Sequence, residues 1–402
     1  MRLSVLFALC FVLATCTLVG AEPQPVLART METREPETRD PERVGYDRVR
    51  RELALDNLIA RYEAFVKPDA DDQPIATKYA DHFFGLDFGR MEGNGGWDLW
   101  SFVAPTVVSP EGRLCPIMGV ERQRGLNVLA EGQTAVADFL WELPRDAEGR
   151  SPGLLGVRYL KQAGDTYWAF VEIWLAGAPG WSLGPVTFSS YPYNTAKTMD
   201  AARERWVATN TRELPTADTD TTLDPGTEWA LMLHNRLSQE DGGCLMVLDP
   251  QEMTSLTVAG TYAVQPKVVP RPGQRSLRVA VGYWSDRHWC QELPVFRQEA
   301  PNIRERLVGI QFSLTANQIW DSTVAQEDYE YLLGQTQIPQ ELRDQARRAW
   351  EALKQARGTG DEPLSREGEL ALVELTRQCQ ELHRRMRVAW LENIGQVTGA
   401  GR

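Results

Sequence analysis

Between Phe83 and Trp320 the chain repeats one pattern: short runs of apolar, β-branched and aromatic residues, broken by Gly, Pro and Asp. The clearest runs are Trp97–Val103, Thr134–Leu143, Leu154–Leu160, Tyr167–Leu175, Trp229–Arg236, Cys244–Leu248, Leu256–Gln265, Leu277–Trp284 and Leu307–Leu314. Such runs with turn residues between them predict antiparallel strands, and the lack of helical patterns among them argues against a doubly wound α/β sheet. With weaker runs included, the span predicts a large antiparallel two-sheet β-sandwich. Of 13 Trp, all but Trp350 and Trp390 fall inside it, consistent with the aromatic preference of strands. A hairpin is expected from Ser255 to Trp284, with Pro266–Gln274 as its connection, because Pro270-Arg271-Pro272-Gly273 interrupts a central ladder.

The flanks have other textures. Glu22–Val44 is charged and dotted with proline, and it predicts a disordered spacer. In Tyr46–Val66, Leu55, Leu58, Ile59, Tyr62, Phe65 and Val66 recur at helical spacings and predict a short N-terminal helix, stopped near Pro68. After Trp320 the pattern is helical. Asp328–Leu333 is a short candidate, followed by Pro339–Arg357 and Ser365–Ile394, with apolar stripes through Leu342, Ala346, Ala349, Trp350 and Leu353, and through Leu372, Leu375, Cys379, Leu382, Met386 and Ala389. Two long amphipathic helices joined by GTGDEP predict a C-terminal α-helical hairpin. The expected fold is therefore mainly β, partitioned as signal peptide 1–21, spacer 22–45, N-terminal helix and connector 46–82, β-sandwich 83–320 and helical region 321–402.

The signal peptide rests on Arg2, the apolar run Leu3–Val12 and the small residues Val19-Gly20-Ala21 before Glu22. It predicts an exported protein: periplasmic, cell-envelope or secreted. A lipoprotein anchored through Cys16 is the alternative, although Thr15 fits that cleavage pattern poorly. No run predicts a transmembrane helix. Export permits disulfides among Cys115, Cys244, Cys290 and Cys379, with Cys244–Cys290 the first candidate pair and four buried thiols the alternative. The net charge of −12 disfavours nucleic acid as a partner.

Candidate chemistry centres on Asp165–Tyr193. Within Tyr167–Leu175 the odd residues suit a core, while Trp168, Phe170, Glu172 and Trp174 form an aromatic row around one carboxylate. On a groove such a row would bind sugar, with Glu172 as the catalytic carboxylate and Asp138 or Glu142 as its partner. His234, Trp284 and His288 are further ligand-binding candidates. A G-x-S-x-G string, Gly180–Gly184, resembles the nucleophile elbow of α/β-hydrolases, but strand-like sequence follows Ser182 where that family has a helix. His82, His234, His288 and His383 show no metal-ligand spacing, and Asp218, Asp220 and Asp224 do not complete an EF-hand. Neither a metal nor another cofactor is expected. The Arg-rich run His383–Arg387 is expected on a solvated helix face.

Two function classes follow. One is carbohydrate binding or processing on the aromatic face, with a glycan as ligand. It requires Trp168, Glu172 and Trp174 to line an open groove. The other is a non-catalytic cell-envelope interaction or structural protein that docks through the helical hairpin. It requires an exposed apolar stripe through Leu372, Leu375, Leu382 and Met386. The sequence leaves the oligomeric state open.

Overall fold

The computed structural model describes residues 23–38, 41, 44–66, 82–88, 100–117, 123–190, 205–235, 243–260, 263–283, 289–320 and 325–399. In chain order the strands are β1 (Ala28–Pro36), β2 (Asp47–Leu55), β3 (Leu58–Val66), β4 (His82–Phe88), β5 (Trp100–Val108), β6 (Leu114–Pro116), β7 (Gln123–Ala130), β8 (Thr134–Glu142), β9 (Gly153–Gln162) and β10 (Trp168–Gly177). They continue as β11 (Ser182–Ser190), β12 (Arg205–Thr209), β13 (Glu213–Pro215), β14 (Thr221–Leu223), β15 (Ala230–Asn235), β16 (Cys244–Leu248), β17 (Met253–Ala259), β18 (Gln265–Pro270) and β19 (Ser276–Tyr283). The helices are α1 (Trp289–Gly309), α2 (Ala316–Trp320), α3 (Gln326–Gly334), α4 (Gln340–Arg357) and α5 (Arg366–Gly399).

Among the described residues the strands form two antiparallel sheets. A ten-stranded sheet runs β1-β2-β3-β4-β5-β11-β18-β17-β14, with β6 beside β5, and a nine-stranded sheet runs β13-β12-β15-β16-β19-β10-β9-β8-β7. One apolar cluster draws on both: Leu53, Leu58, Val107, Val186 and Val268 from the first, with Phe139, Val157, Val171, Leu233 and Val279 from the second. These residues occupy alternate strand positions, so the period of two places them on one face. The opposite face of the nine-stranded sheet packs Val136, Leu160, Trp168, Phe170, Met232, Leu245 and Ala280 against helix residues Phe296, Ile303, Tyr329, Trp350 and Leu372. The central strands of this sheet are therefore covered on both sides, and β10 is buried at every position but its last.

The mainly β architecture and the C-terminal helical hairpin agree with the sequence. The N-terminal helix does not. Asp47–Val66 is a hairpin, β2–β3, paired rung for rung from Asp47↔Val66 to Leu55↔Leu58. Its two-residue turn puts Asp56 at φ 54°, a conformation that Asp tolerates and that suits a tight hairpin. Local spacing of Leu and Ile favoured a helix, and pairing with β1 and β4 overrode it. The expected spacer contributes β1, which pairs along its full length with β2.

Two further expectations change. Leu307–Leu314 is not a strand, because its first residues end α1. Pro294 and Pro301 inside α1 obscure the helical pattern, since proline removes a donor and crowds the preceding turn. Leu293, Phe296, Ala300, Ile303 and Leu307 nevertheless keep the spacing of one helical face and are buried on the sheet. Pro266–Gln274 is not wholly a connection. Gln265–Pro270 is strand β18, bonded to β11 and β17, and only the turn after it crosses to β19 in the other sheet.

Among the described residues no disulfide joins the cysteines: Cys115, Cys244 and Cys379 are buried and Cys290 is exposed. The candidate pair Cys244–Cys290 is therefore not bonded. No helix among the described residues is long and apolar enough to cross a membrane. Residues 1–22, with the expected signal peptide and Cys16, lie outside the described residues.

Candidate functional site

The even positions of β10 face the helical layer. Strand register places four charged residues side by side there: Asp138 opposite Arg158, Arg158 opposite Glu172, and Glu172 opposite Arg278. Asp138 and Glu172 thus lie two strands apart, roughly 10 Å between backbones. A gap of that order suits a sugar, but Arg158 fills it.

Arg158 donates Nε and Nη2 to the two oxygens of Asp138, each at 2.7 Å, a bidentate pair. Its Nη1 and Nη2 also reach Glu369 at 3.1 and 2.8 Å, and Nη1 reaches the Phe312 carbonyl at 2.6 Å. Glu369 stands in the first turn of α5, where a carboxylate suits the helix dipole. It also accepts from Arg366 Nη1 and, at 2.6 Å, from the Leu314 N–H. Arg366 closes the cluster by donating Nη2 to Glu172. Both guanidiniums lie against the Trp174 ring, Arg158 5.8 Å and Arg366 5.4 Å from its centre. Its room comes from Gly156, because a Cβ there would stand 2.1 Å from the indole.

Three carboxylates face two guanidiniums in this cluster, leaving a formal surplus of one negative charge. Asp138 accepts two bonds from Arg158, and Glu369 accepts five from Arg158, Arg366 and the Leu314 N–H. Glu172 accepts from Arg366, and burial raises its pKa despite the opposing effect of Arg366 and Arg158. Arg158 is held cationic, because Asp138 and Glu369 outweigh the cost of its burial.

The residues expected to line a groove are accordingly sealed. Trp168 is 3%, Phe170 0%, Glu172 8% and Trp174 2% exposed. Trp168 and Phe170 join the apolar cluster beneath the helices, and Arg306 stacks on Phe170. His234 is buried on the same face of β15, its Nε2 4.0 Å from Glu213. Trp284 and His288 lie outside the described residues. His383 bonds Asp328 at 2.6 Å and stacks near Tyr329, linking α5 to α3. Glu142, the other expected partner carboxylate, pairs with Arg145 at the sheet edge.

The G-x-S-x-G string is the β10–β11 turn. Gly177, Ala178 and Gly180 have positive φ, and Ser182 begins β11. Arg275 clamps this turn by donating to the carbonyls of Leu175, Gly177, Ala178 and Trp181, while Glu367 of α5 accepts the Gly177 N–H. Asp224 spends its carboxylate on Gly226 N–H and the Thr227 hydroxyl, which makes its loop a capped turn. No group of three metal-ligating side chains occurs among the described residues.

Several residues of this site escaped sequence reasoning. Arg158, Arg366 and Glu369 were not singled out, and only the contact between α5 and β10 brings them together. A usable signal did exist: Arg158 breaks an otherwise apolar run, Leu154–Leu160, and a charge at such a position needs a buried partner. Lys161 was also passed over. It is fully buried, donates to the Trp168 carbonyl, and burial pushes its pKa down to about 8.

The outer side of the hairpin is different. A groove of about 620 Å³ runs between α4 and α5, floored by Ala349, Ala352, Leu375 and Leu382. Arg348 and Arg385 stand on its two lips. Of the expected stripe, Leu372 and Met386 are buried, while Leu375 and Leu382 are half-buried along this groove.

No family model and no curated protein matches the chain. Among solved structures it is similar to the GH36 alpha-galactosidase AgaB from Geobacillus stearothermophilus, at 11% identity and a TM-score of 0.35. That similarity covers 86% of this chain and 55% of that one, so the chain spans about half the length of this neighbour. A likeness this loose carries neither fold nor activity across. The fold and the site define a mainly β protein whose helical layer is fastened by a buried ion cluster.

Proposed function

We propose that the mature chain is an exported, non-catalytic interaction protein of the cell envelope. In this reading the two sheets form a β-sandwich that holds the C-terminal hairpin rigid and offers its outer face to a partner. The observation that carries it is the use of the buried charges: Asp138, Glu172 and Glu369 are committed to Arg158 and Arg366, and the cluster fastens α5 to β10. Carboxylates engaged in this way stabilise position and do not meet substrate. The half-covered Leu375 and Leu382 beside the groove supply the apolar surface that docking needs. The apolar run Leu3–Val12 and the small residues before Glu22 support export.

The test has two arms. A photo-crosslinking residue at Gln378 in the native cells is expected to give one discrete protein adduct, and none from Thr254 on the other sheet. Ala352→Glu, which fills the groove, is expected to abolish the adduct without lowering Tm. In parallel, purified protein is assayed on a polysaccharide panel. Sugar release that disappears in Glu172→Gln at unchanged Tm would show that the carboxylate is catalytic and would overturn the reading.

A further inference from the structure

We infer that the partner on the hairpin face is a second copy of this chain, with its α5 laid antiparallel across the first on a two-fold axis. This deepens the interaction reading above and rests on it. Three observations point to self-pairing.

The first is a seam. Glu374, Gln378, Glu381, Arg385 and Val388 recur along α5 at alternating spacings of four and three, so they share one stripe, and every one of them is exposed. Leu375 and Leu382 flank the stripe on the groove side, and Val388, 44% exposed, extends its apolar part.

The second is charge order. The acidic members of the seam come first and the basic member last. A two-fold axis between Gln378 and Glu381 reverses that order in the partner. Each Glu374 then faces the other copy's Arg385, and each Gln378 faces its Glu381. Four complementary contacts result, with no like charges opposed. The existing bonds of Glu374 to Arg377 and of Glu381 to Arg384 lie within the exposed helix surface, so exchanging them costs little.

The third is net charge. Residues 340–399 carry ten Lys or Arg and ten Asp or Glu, so the chain's −12 resides wholly outside this segment. Two such chains repel through most of their surface, and the hairpin is where they approach without a charge penalty. A closed two-fold contact uses the same patch on both copies and needs no second binding surface. At roughly 1.5 Å per residue, α5 is roughly 50 Å long and offers the length an ordinary dimer interface requires.

Sedimentation velocity of the purified mature protein tests this. Wild type is expected to be dimeric at about 50 μM, with dissociation promoted by salt. Arg385→Glu and Glu374→Arg are each expected to weaken the dimer at least about tenfold, and combining them is expected to restore it. Both positions of this cycle are solvent-exposed, and Tm is followed to confirm folding. A monomeric wild type at about 100 μM overturns the self-pairing, as do single swaps that leave association unchanged. The interaction reading is separately exposed: a Gln378 adduct with a different protein would leave it standing while the self-pairing falls.

Discussion

Glu369→Gln cuts the fastening between sheet and helices at its most connected point. Glu369 accepts from Arg158 twice, from Arg366 twice and from the Leu314 N–H. Glutamine keeps the shape and one acceptor oxygen. Its NH2 group points donors at guanidinium donors, and the negative charge between two cations is gone. Removing one partner of a buried ion cluster costs about 3–5 kcal/mol, because Arg158, Arg366 and the Leu314 N–H lose the acceptor they share and cannot regain water in the buried site. With an unfolding entropy of about 2.1 cal/mol/K per residue, each kcal/mol moves the Tm of a chain this size by about 1.2 °C, so a fall of about 4–6 °C is expected. The loss is local in origin, and amide exchange by mass spectrometry is expected to rise first in Arg366–Gln380 and around Leu314, before the β10 core responds. A variant within about 1 °C of wild type, with α5 protection unchanged, would refute the idea that the cluster holds the helical layer in place.

Other outcomes follow from the same geometry. Glu172 has a folded-state pKa above its ordinary value of 4.5, so its contribution to stability is full below the unfolded pKa and is lost as pH rises through the folded pKa; Glu172→Gln is therefore expected to gain on wild type in thermal melts as pH rises from acid to neutral, and a pH-independent difference would refute the raised pKa. Gly156→Ala forces the Trp174 indole from its seat against Arg158 and Arg366 and is expected to cost about 1–3 kcal/mol in denaturant melts, with the tryptophan fluorescence altered. Arg275→Ala strips four carbonyls of their donor in the β10–β11 turn and is expected to cost about 1.5–3 kcal/mol, whereas Ser182→Ala in the same turn is expected to stay within about 0.5 kcal/mol. Of the four thiols, Cys290 alone is expected to react with an aromatic disulfide reagent in the native state, with all four reacting after unfolding and no effect of reductant on Tm.

What the sequence determined by itself is what local chemistry dictates. Period-two alternation and turn residues placed β8, β9, β10, β15, β16 and β19 within a few residues of their ends, and the apolar stripes of α4 and α5 marked the hairpin. It misled where local and distant forces compete. In Tyr46–Val66 helical spacing was real, yet each Leu gains more from a paired strand over the core, and the Asp56-Asn57 turn was the sign that passed unread. In α1 two prolines hid a helix that burial on the sheet sustains.

Only the tertiary structure decided what covers the even face of β10. Alternation splits a strand into two faces, but it says nothing of what packs on either one. Trp168, Glu172 and Trp174 would look the same in sequence beneath a sugar or beneath a helix. Arg366 and Glu369, nearly two hundred residues further along, made the choice, because two guanidiniums and three carboxylates can be buried together only when all of them arrive.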